Sequence, residues 1–262
     1  MNKPFSFDIG IDLRTTNRPL GFCYGEGAFG PSVEQRRLDD IRKNLMDPHC
    51  QGPEIVYAIA MDVGMDRDLP AIRERNLLYG AVTYAQGKLG REPIRSQGHI
   101  HAVSPSCGES TCEVYEIWEG KAIIYMQETA KDNPGRCFAV IAKPGDVVIV
   151  PPGWAHSTIV ADTEQQMSFG AWCVRDYGFD YVDVRAHGGL AWFPVVEDKT
   201  IVFEPNTNYR AEKPIVKRPR IYRELGLEEG KSIYRQFTED PDRFLFVSQP
   251  QRAKKLWENF VP

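Results

Sequence analysis

Three histidines and one glutamate form the most distinctive chemical pattern in this sequence. Gly98-His99-Ile100-His101 is followed, after a gap of eleven residues, by Glu113. Residues i and i+2 of a strand face the same side, so His99 and His101 can point into one interior, and Glu113 on the next strand can reach the same point. This pattern predicts a cluster of polar donors inside a β structure.

The fourth member of the pattern is His156, in the segment KPGDVVIVPPGWAHST. A strand there ends in a Pro-Pro-Gly turn that delivers His156 from the opposite side. Three imidazoles and one carboxylate suit a divalent transition metal such as iron, manganese, nickel, cobalt or zinc. Such a site keeps coordination positions open for substrate oxygens or water. Metal binding is therefore favoured over coincidence, whereas His187 is interpreted as a loop residue and the Cys107/Cys112 pair as ordinary thiols.

The elements that must position these residues are short strands. Between them lie turn signals such as Glu119-Gly120, Asn133-Pro134-Gly135 and Lys143-Pro144-Gly145. Many strands at close spacing indicate a sandwich or barrel rather than alternating strands and helices. The predicted strands cover residues 78–85, 112–119, 121–127, 136–143, 146–150 and 167–174.

Changes in composition divide the chain into three predicted parts. Residues 1–75 form an N-terminal extension packed on the barrel, with a helix over 32–46 and an extended segment over 54–61. Residues 76–198 form the metal-binding barrel. Residues 199–262, rich in Lys, Arg, Glu and Pro, form a C-terminal arm with helices near 222–227 and 251–260.

Composition excludes some classes of partner. The net charge of −4 and pI near 5.8 argue against nucleic acid as the main partner. No apolar run approaches the length needed to cross a bilayer, so no membrane partner is expected. The N-terminal residues lack the apolar stretch of a secretory signal, and the expected location is the cytoplasm.

The two motifs resemble the two signatures of the cupin superfamily. The strings GKLGREPIRSQGHIH, CEVYEIWEGKAIIYMQ and VVIVPPGWAHSTIV are similar to the cupin-type phosphoglucose isomerases known mainly from archaea. AWCVRDYGFDYVDVRAHGG continues the similarity, which covers about half of the chain, from near Gly80 to Gly189. The resemblance implies an all-β cupin barrel, or jelly roll, with N- and C-terminal extensions that contain helices.

The resemblance also implies an activity. The family interconverts glucose 6-phosphate and fructose 6-phosphate, as in glycolysis and gluconeogenesis, and binds one divalent metal ion per chain. Carried over to this sequence, the ligands are His99, His101, Glu113 and His156. Iron is the first expectation for the metal, with manganese, nickel or zinc as alternatives. Glu113 is also the family's candidate base, and Tyr115 is nominated as a hydroxyl that contacts the sugar.

Two routes are open for moving hydrogen between C1 and C2 of the sugar. A base can remove the C2 proton through an enediol, or a metal can assist a hydride shift. The sequence does not choose between them.

Phosphate contacts are expected in the segment that leads into the first motif. The resemblance places a hydroxyl and backbone amides there, and a basic residue adds positive charge, with at most one of three making the contact. The candidates are Ser96, Gly98, Thr83 and Lys88, with Arg91 and Arg95 as further basic residues.

The sequence departs from the family at Phe179, where related isomerases carry a histidine. Tyr177 or His187 is a candidate to replace it. The loop 102–112 is longer than in most cupins and could reshape the mouth of the pocket. An ordinary surface loop is the simpler interpretation, but its polar residues are candidates for phosphate contacts. They are Ser104, Ser106, Ser110 and Thr111.

Two other functions stay open at this point. A cupin dioxygenase is one, because three histidines and a glutamate also suit non-haem iron. A non-catalytic cupin that binds a phosphosugar or effector is the other, since the fold hosts many functions. A homodimer is expected in any case, because the strand edges of a small barrel invite pairing and the terminal segments can contribute.

Overall fold

The computed structural model describes residues 5–262, so the first four residues of the predicted N-terminal extension lie outside the described residues. Most of the regular structure is strand. In chain order the strands are β1 (Leu13–Asn17), β2 (Leu20–Tyr24), β3 (Ala28–Phe29), β4 (Glu34–Arg37), β5 (Ile55–Met61), β6 (Gly64–Met65), β7 (Leu77–Tyr84), β8 (Lys88–Leu89), β9 (Glu92–Pro93), β10 (Ile100–His101), β11 (Glu113–Glu119), β12 (Ala122–Gln127), β13 (Cys137–Ala142), β14 (Val147–Val150), β15 (Ala155–Val160), β16 (Met167–Val174), β17 (Phe179–Asp180), β18 (Trp192–Glu197), β19 (Thr200–Pro205) and β20 (Ile215–Lys217).

The helices are short. The α-helices are α1 (Leu38–Ile41), α2 (Leu69–Glu74), α3 (Val182–Ala186), α4 (Ile233–Glu239), α5 (Leu245–Ser248) and α6 (Lys254–Glu258). The 3₁₀ turns lie at Arg42–Asn44, Asp66–Asp68, Arg223–Leu225, Pro241–Phe244 and Pro250–Ala253. No helix in residues 5–262 combines the length and apolar character needed to span a membrane.

Two sheets pack face to face to form the barrel. The larger has six strands in the order β14-β11-β16-β7-β5-β4, and its pairs are antiparallel. The smaller has four strands in the order β15-β12-β13-β20, in which β20 runs parallel to β13. One apolar cluster fills the space between the sheets and continues over the outer face of the larger sheet. A second covers the other face of the smaller sheet, beneath the β18–β19 hairpin.

Both faces of the central strands are buried, and alternation decides which residues enter the barrel. On β12, Ile124 and Met126 belong to the inner cluster, while Ile123 and Tyr125 belong to the outer one. The same alternation on β11 turns Glu113 inward, toward the smaller sheet. All six strands predicted from the sequence are present, with ends that differ by one residue or not at all. The all-β barrel with helix-containing extensions is confirmed.

The predicted helix over 32–46 is wrong. Residues Glu34–Arg37 instead form β4 at the edge of the larger sheet, and only the single turn α1 and a 3₁₀ turn follow. The apolar spacing was correct for burial, since Leu38 and Ile41 are in the core. Pairing with β5 decides the conformation of the polar stretch before them, because tertiary contacts override a weak local preference.

The C-terminal arm packs on the outer face of the larger sheet. The predicted helix over 222–227 is a 3₁₀ turn, Arg223–Leu225, and 251–260 is a 3₁₀ turn followed by α6. The arm adds Tyr234, Phe237 and Phe244 to the core, in ring contact with Trp172 of β16. The boundaries near 75 and 198 stay predictions; β4 and β5, which precede the first of them, are strands of the larger sheet.

One buried acid joins the arm to the barrel. The carboxyl of Glu116 on β11 accepts hydrogen bonds from the backbone N–H of Ile233, at 2.9 Å, and from Trp118 Nε1, at 3.1 Å. Burial raises the pKa of Glu116 to about 8, although both hydrogen bonds act in the opposite direction.

This pKa predicts a pH dependence of stability. The folded protein holds a proton on Glu116 that the unfolded chain releases near pH 4.5, so its free energy of unfolding falls as pH rises from about 4.5 to about 8. Glu116→Gln removes this dependence. We expect the stability of the variant relative to the parent protein to rise by about 2–4 kcal/mol between pH 5 and pH 8.

Urea unfolding at both pH values measures the difference. Glu26→Gln, at an exposed glutamate, is the control and should shift stability equally at both. A Glu116→Gln protein that loses stability relative to the parent as pH rises would contradict the assignment.

Candidate metal centre

Four side chains from three segments of the chain converge inside the barrel. One donor atom from each of His99, His101, Glu113 and His156 lies within 4.8 Å of the others. A single ion with bonds of about 2.0–2.2 Å holds its ligand atoms roughly 3–4 Å apart. The structure thus brings together all four residues that the motif spacing singled out, close enough to share one ion after small side-chain shifts.

Backbone pairing fixes where these residues stand. His99 and His156 form an antiparallel bridge, with N–H···O distances of 3.1 and 2.9 Å in the two directions. His101 ends β10, which pairs with β17, and Glu113 opens β11. Gly98 precedes the motif with φ of +87°, and a Cβ there would lie 2.9 Å from Leu190. Glycine is therefore required at the turn that leads into His99.

Hydrogen bonds to the backbone select the ring nitrogen that faces the cluster. Nδ1 of His101 lies 3.1 Å from the carbonyl oxygen of Thr111, and Nδ1 of His156 lies 3.1 Å from that of Trp154. A carbonyl can only accept, so Nδ1 carries the proton in both rings. Nε2 of each then presents a lone pair, as in the outer-shell arrangement that orients metal-binding histidines.

The lone pairs face one another around a buried carboxylate. Nε2 of His101 and of His156 lie 3.2 and 3.3 Å from Oε2 of Glu113, and Nε2 of His99 is buried without a hydrogen-bond partner. Such a set needs a positive charge between its members, either a proton or a metal ion. Three neutral imidazoles and one carboxylate fit a divalent transition metal.

Electrostatics keep these groups in the form a metal requires. Burial lowers the pKa of His99 well below its ordinary value, and the neighbouring His156 and His101 lower it further, so its ring is neutral. Burial alone would raise the pKa of Glu113, but contact with His101 and His156, with a proton on Nε2 in the place of a metal ion, holds it well below its ordinary value. A metal ion would supply the same positive charge beside an ionised oxygen.

Tyr115 supports the carboxylate from the same strand face. Its hydroxyl donates to Oε2 of Glu113 at 2.6 Å, and Cys173 Sγ lies 3.5 Å from Oε1. Burial, followed by the charge of Glu113, raises the pKa of Tyr115 well above its ordinary value. The hydroxyl therefore stays protonated and acts as a donor.

The loop 102–112 is tied down rather than open to a ligand. Asp176 accepts hydrogen bonds from the side chain of Ser104 and the backbone N–H of Ser106, both at 2.8 Å. The hydroxyl of Ser110 donates to the carbonyl of His101 at 2.7 Å. These serines bind the protein itself, and the loop positions His101.

A cavity opens beside the cluster, between the two sheets. It is lined by His99, Glu113 and Tyr115 together with Arg36, Tyr57, Ile59, Met61, Val82, Tyr84, Ser96, Gln97, Thr158, Phe169, Phe179 and Tyr181. Ser96 is thus on the wall, where its Oγ accepts a hydrogen bond from the backbone N–H of Thr158 at 3.0 Å.

The other predicted substrate contacts lie elsewhere. Thr83 is buried on the opposite face of β7, with its hydroxyl 3.0 Å from that of Ser168, and Lys88 is exposed on the β8–β9 hairpin. Neither they nor Gly98 belong to the described residues that line the cavity. Strand alternation explains Thr83, because its neighbours Val82 and Tyr84 take the inner face.

The basic residues near the first motif already have partners. Arg95 is buried against Glu92 at 2.6 Å and also donates to the backbone carbonyls of Ser96 and Asn44. Arg91 is exposed and pairs with Glu204. Neither lines the cavity among the residues for which coordinates are described.

A phenylalanine ring lies beside the cluster, at the position where the resemblance implied a histidine. Phe179 of β17 is opposite His101 in register, and its ring centroid lies 4.5 Å from that of His99. Tyr177 lies beside it at 5.3 Å, whereas His187 stacks on Tyr209 and contacts Asp132.

Sequence reasoning missed several residues of the cavity wall. Arg36 and Tyr57 lie in the segment interpreted as an extension, and Gln97 and Tyr181 lie beside the motifs without a spacing of their own. The pairing of β5 with β7 brings Tyr57 to the cavity and the pairing of β4 with β5 brings Arg36, and no local pattern in the sequence predicts either pairing.

Two facing antiparallel sheets that enclose three histidines and a glutamate define a cupin with a His₃Glu donor set. The glucose-6-phosphate isomerase (GPI) family model matches residues 41–212. The chain belongs to the glucose-6-phosphate isomerase family, whose members are aldose–ketose isomerases. The resemblance and the activity class predicted from the sequence are confirmed, and the dioxygenase and non-catalytic alternatives are not favoured.

Individual relatives agree with this assignment. A glucose-6-phosphate isomerase from Thermococcus gammatolerans is 29% identical over 190 residues, which cover 70% of this chain and 85% of that protein. One from Pyrococcus furiosus is 31% identical over 168 residues, covering 61% and 79%. Among solved structures, an oxalate oxidase aligns over 48% of this chain and 55% of its own, with 14% identity and a TM-score of 0.36.

Removing one imidazole should empty the site. We expect purified protein loaded with a divalent metal to hold one ion per chain, and His156→Ala to hold less than about a tenth of that, because loss of a ligand from a preformed site lowers affinity by orders of magnitude. Mass-spectrometric metal analysis after gel filtration measures this.

His49→Ala is the matched control, since His49 is exposed and lies outside the cluster. The assignment of His156 as a metal ligand would be contradicted by equal metal content in the parent, His156→Ala and His49→Ala proteins. Circular dichroism spectra must be unchanged in both variants for this comparison.

Proposed function

We propose that this chain interconverts glucose 6-phosphate and fructose 6-phosphate at the cavity beside His99, His101, Glu113 and His156, with these four residues as ligands of one divalent metal ion. The observation that carries the proposal is the buried convergence of three imidazole nitrogens and one carboxylate oxygen on a point that faces the cavity, in a chain of the glucose-6-phosphate isomerase family. The substrate class is a phosphosugar.

The metal supplies one kind of chemistry when bound: Lewis-acid polarisation of the sugar oxygens at C1 and C2. Iron is the first candidate, and manganese, nickel and zinc are the alternatives. Support for this group of metals comes from the donor set of three nitrogens and one oxygen, which suits transition metals better than magnesium or calcium.

The chain's own residues then orient the substrate and handle protons. Glu113 is the one carboxylate among the described residues of the cavity wall, which supports it as the candidate base for proton transfer between C1 and C2. Tyr115 holds Oε2 of Glu113 through its protonated hydroxyl and is the candidate for contact with the sugar. Ser96 is the predicted phosphate-side hydroxyl that the cavity geometry supports.

We also keep the proposal of a cytoplasmic homodimer. The dimer is supported by β4 and β20, which lie at the ends of their sheets in residues 5–262; β20 exposes Ile215 and Val216 by 48% and 58%. Light scattering measures the oligomeric state.

Activity should follow metal occupancy. A coupled assay for glucose 6-phosphate formed from fructose 6-phosphate is run on protein as purified, after chelation, and after addition of iron, manganese, nickel or zinc. We expect turnover to fall at least about a hundredfold on chelation and to return with one or more ions, because the loss of Lewis-acid stabilisation is worth several kcal/mol.

His49→Ala should behave like the parent protein throughout this series. Full turnover in protein shown to be free of metal would contradict metal dependence. No turnover with any ion at full occupancy would contradict the isomerase itself.

A further inference from the structure

We propose that Arg36 binds the phosphate group of the substrate. The inference rests on the proposed function, since it deepens the same site, and it assigns to the N-terminal segment a residue for which the sequence held no motif. Three observations support it: Arg36 lines the cavity, its Nε has no hydrogen-bond partner among the described residues, and the other basic residues nearby already bind protein groups.

Strand pairing places the side chain of Arg36 on the wall of the cavity. Arg36 lies on the edge strand β4, directly opposite Tyr57 of β5. Residues opposite each other in a ladder share a face, and Tyr57 lines the cavity. The register shifts between Arg36 and Arg37, which is the mark of a bulge, and bulges re-aim side chains next to active sites.

The guanidinium of Arg36 is not fully used by the protein. Its Nε is buried and has no hydrogen-bond partner among residues 5–262, and Glu34 lies 2.7 Å from Nη2 and is itself 62% exposed. An unpaired buried donor costs about 1–3 kcal/mol, which an incoming acceptor recovers. Arg175, whose Nε is also buried without a partner among these residues, does not line the cavity and holds Asp62 through two bonds of 2.8 Å.

No other guanidinium or ammonium group lines the cavity among the described residues. Arg185, which lies next to it, already engages Gln97 at 3.2 Å and stacks over the ring of Tyr181 at 4.6 Å. Arg95 is neutralised by Glu92. Arg36 is therefore the cation that a phosphate entering this cavity meets.

The location also suits a sugar phosphate whose C1 end lies at the metal ligands. Tyr181 is an electrostatic neighbour of Arg36, and its ring centroid lies 6.0 Å from that of His99. Arg36, Tyr181 and His99 all line the same cavity. In the proposed binding mode the phosphate at C6 lies against Arg36 while C1 and C2 stay near Glu113.

The chemistry of the group fits a phosphate oxyanion. A guanidinium stays charged at every physiological pH and presents N–H donors in a planar fork that matches two phosphate oxygens. Phosphate binding would compete with Glu34, whose exposed carboxylate can turn to water at little cost because exposed ion pairs contribute little.

The test compares Arg36→Gln with Arg37→Gln. Arg37 is the adjacent residue, is 57% exposed and pairs with Glu54, so the control removes the same charge from the same strand outside the cavity. We measure kcat and KM for fructose 6-phosphate in metal-loaded protein, and binding of inorganic phosphate, glucose 6-phosphate and glucose by calorimetry.

We expect Arg36→Gln to raise KM and the dissociation constants of phosphate and glucose 6-phosphate by about ten- to a hundredfold, with kcat changed by less than about fivefold. The KM and dissociation constants of Arg36→Lys should lie between those of the parent protein and those of Arg36→Gln, because an ammonium group keeps the charge but not the planar fork of donors. Glucose binding and all constants of Arg37→Gln should stay within about twofold of the parent protein.

The inference is overturned if Arg36→Gln binds phosphate and glucose 6-phosphate as tightly as the parent protein does. It is also overturned if Arg37→Gln loses as much affinity for them as Arg36→Gln, or if the parent protein binds neither ligand. The binding measurements need no turnover. A parent protein without isomerase activity whose phosphate binding disappears in Arg36→Gln therefore refutes the proposed reaction and supports the anion site.

Discussion

The structure is organised around four buried side-chain atoms whose lone pairs repel one another unless a cation lies between them. Three imidazole nitrogens and a carboxylate oxygen point at a common centre in the interior of a β-barrel. Lone pairs directed at a buried carboxylate repel unless a cation lies between them. The Nδ1 protons of His101 and His156 are committed to backbone carbonyls, and this commitment turns the Nε2 lone pairs inward. The rest of the barrel can be understood as the frame that enforces this arrangement.

That frame works by pairing and by anchoring. The bridge between His99 and His156 joins the two motifs, although they are far apart in the chain. The loop between His101 and Glu113 is held by Asp176, and through Ser110 it fixes the backbone of His101. The C-terminal arm covers the outer face of β11 and β16 with aromatic side chains. Ligand position, loop and arm are therefore parts of one packed unit.

The sequence predicts the cluster well and the cavity wall poorly, for one physical reason. Strand alternation and motif spacing are local, so they place His99, His101, Glu113 and His156 on inward faces without knowledge of the whole fold. The cavity wall depends on which strands pair across long sequence separations. Arg36 reaches it only because β4 joins the sheet edge, and the same pairing explains why the helix predicted over 32–46 does not form.

Two of the predicted substrate contacts, Thr83 and Lys88, do not line the cavity among the described residues. Thr83 and Lys88 lie close in sequence to the first motif, but Thr83 points away from the cavity and Lys88 lies on an exposed hairpin. Proximity along the chain is a weak guide where alternate residues face opposite surfaces. Among the described residues, those that line the cavity and also hold a buried polar atom without a partner are His99 and Arg36.

Anomalous X-ray diffraction from a crystal of the protein loaded with iron or manganese, recorded at the absorption edge of that metal, shows directly whether these four residues hold one ion. We expect one strong anomalous peak inside the barrel, about 2.0–2.3 Å from Nε2 of His99, His101 and His156 and from a carboxylate oxygen of Glu113. A peak bound by other residues, or an interior without a peak although the crystal contains one ion per chain, would contradict it.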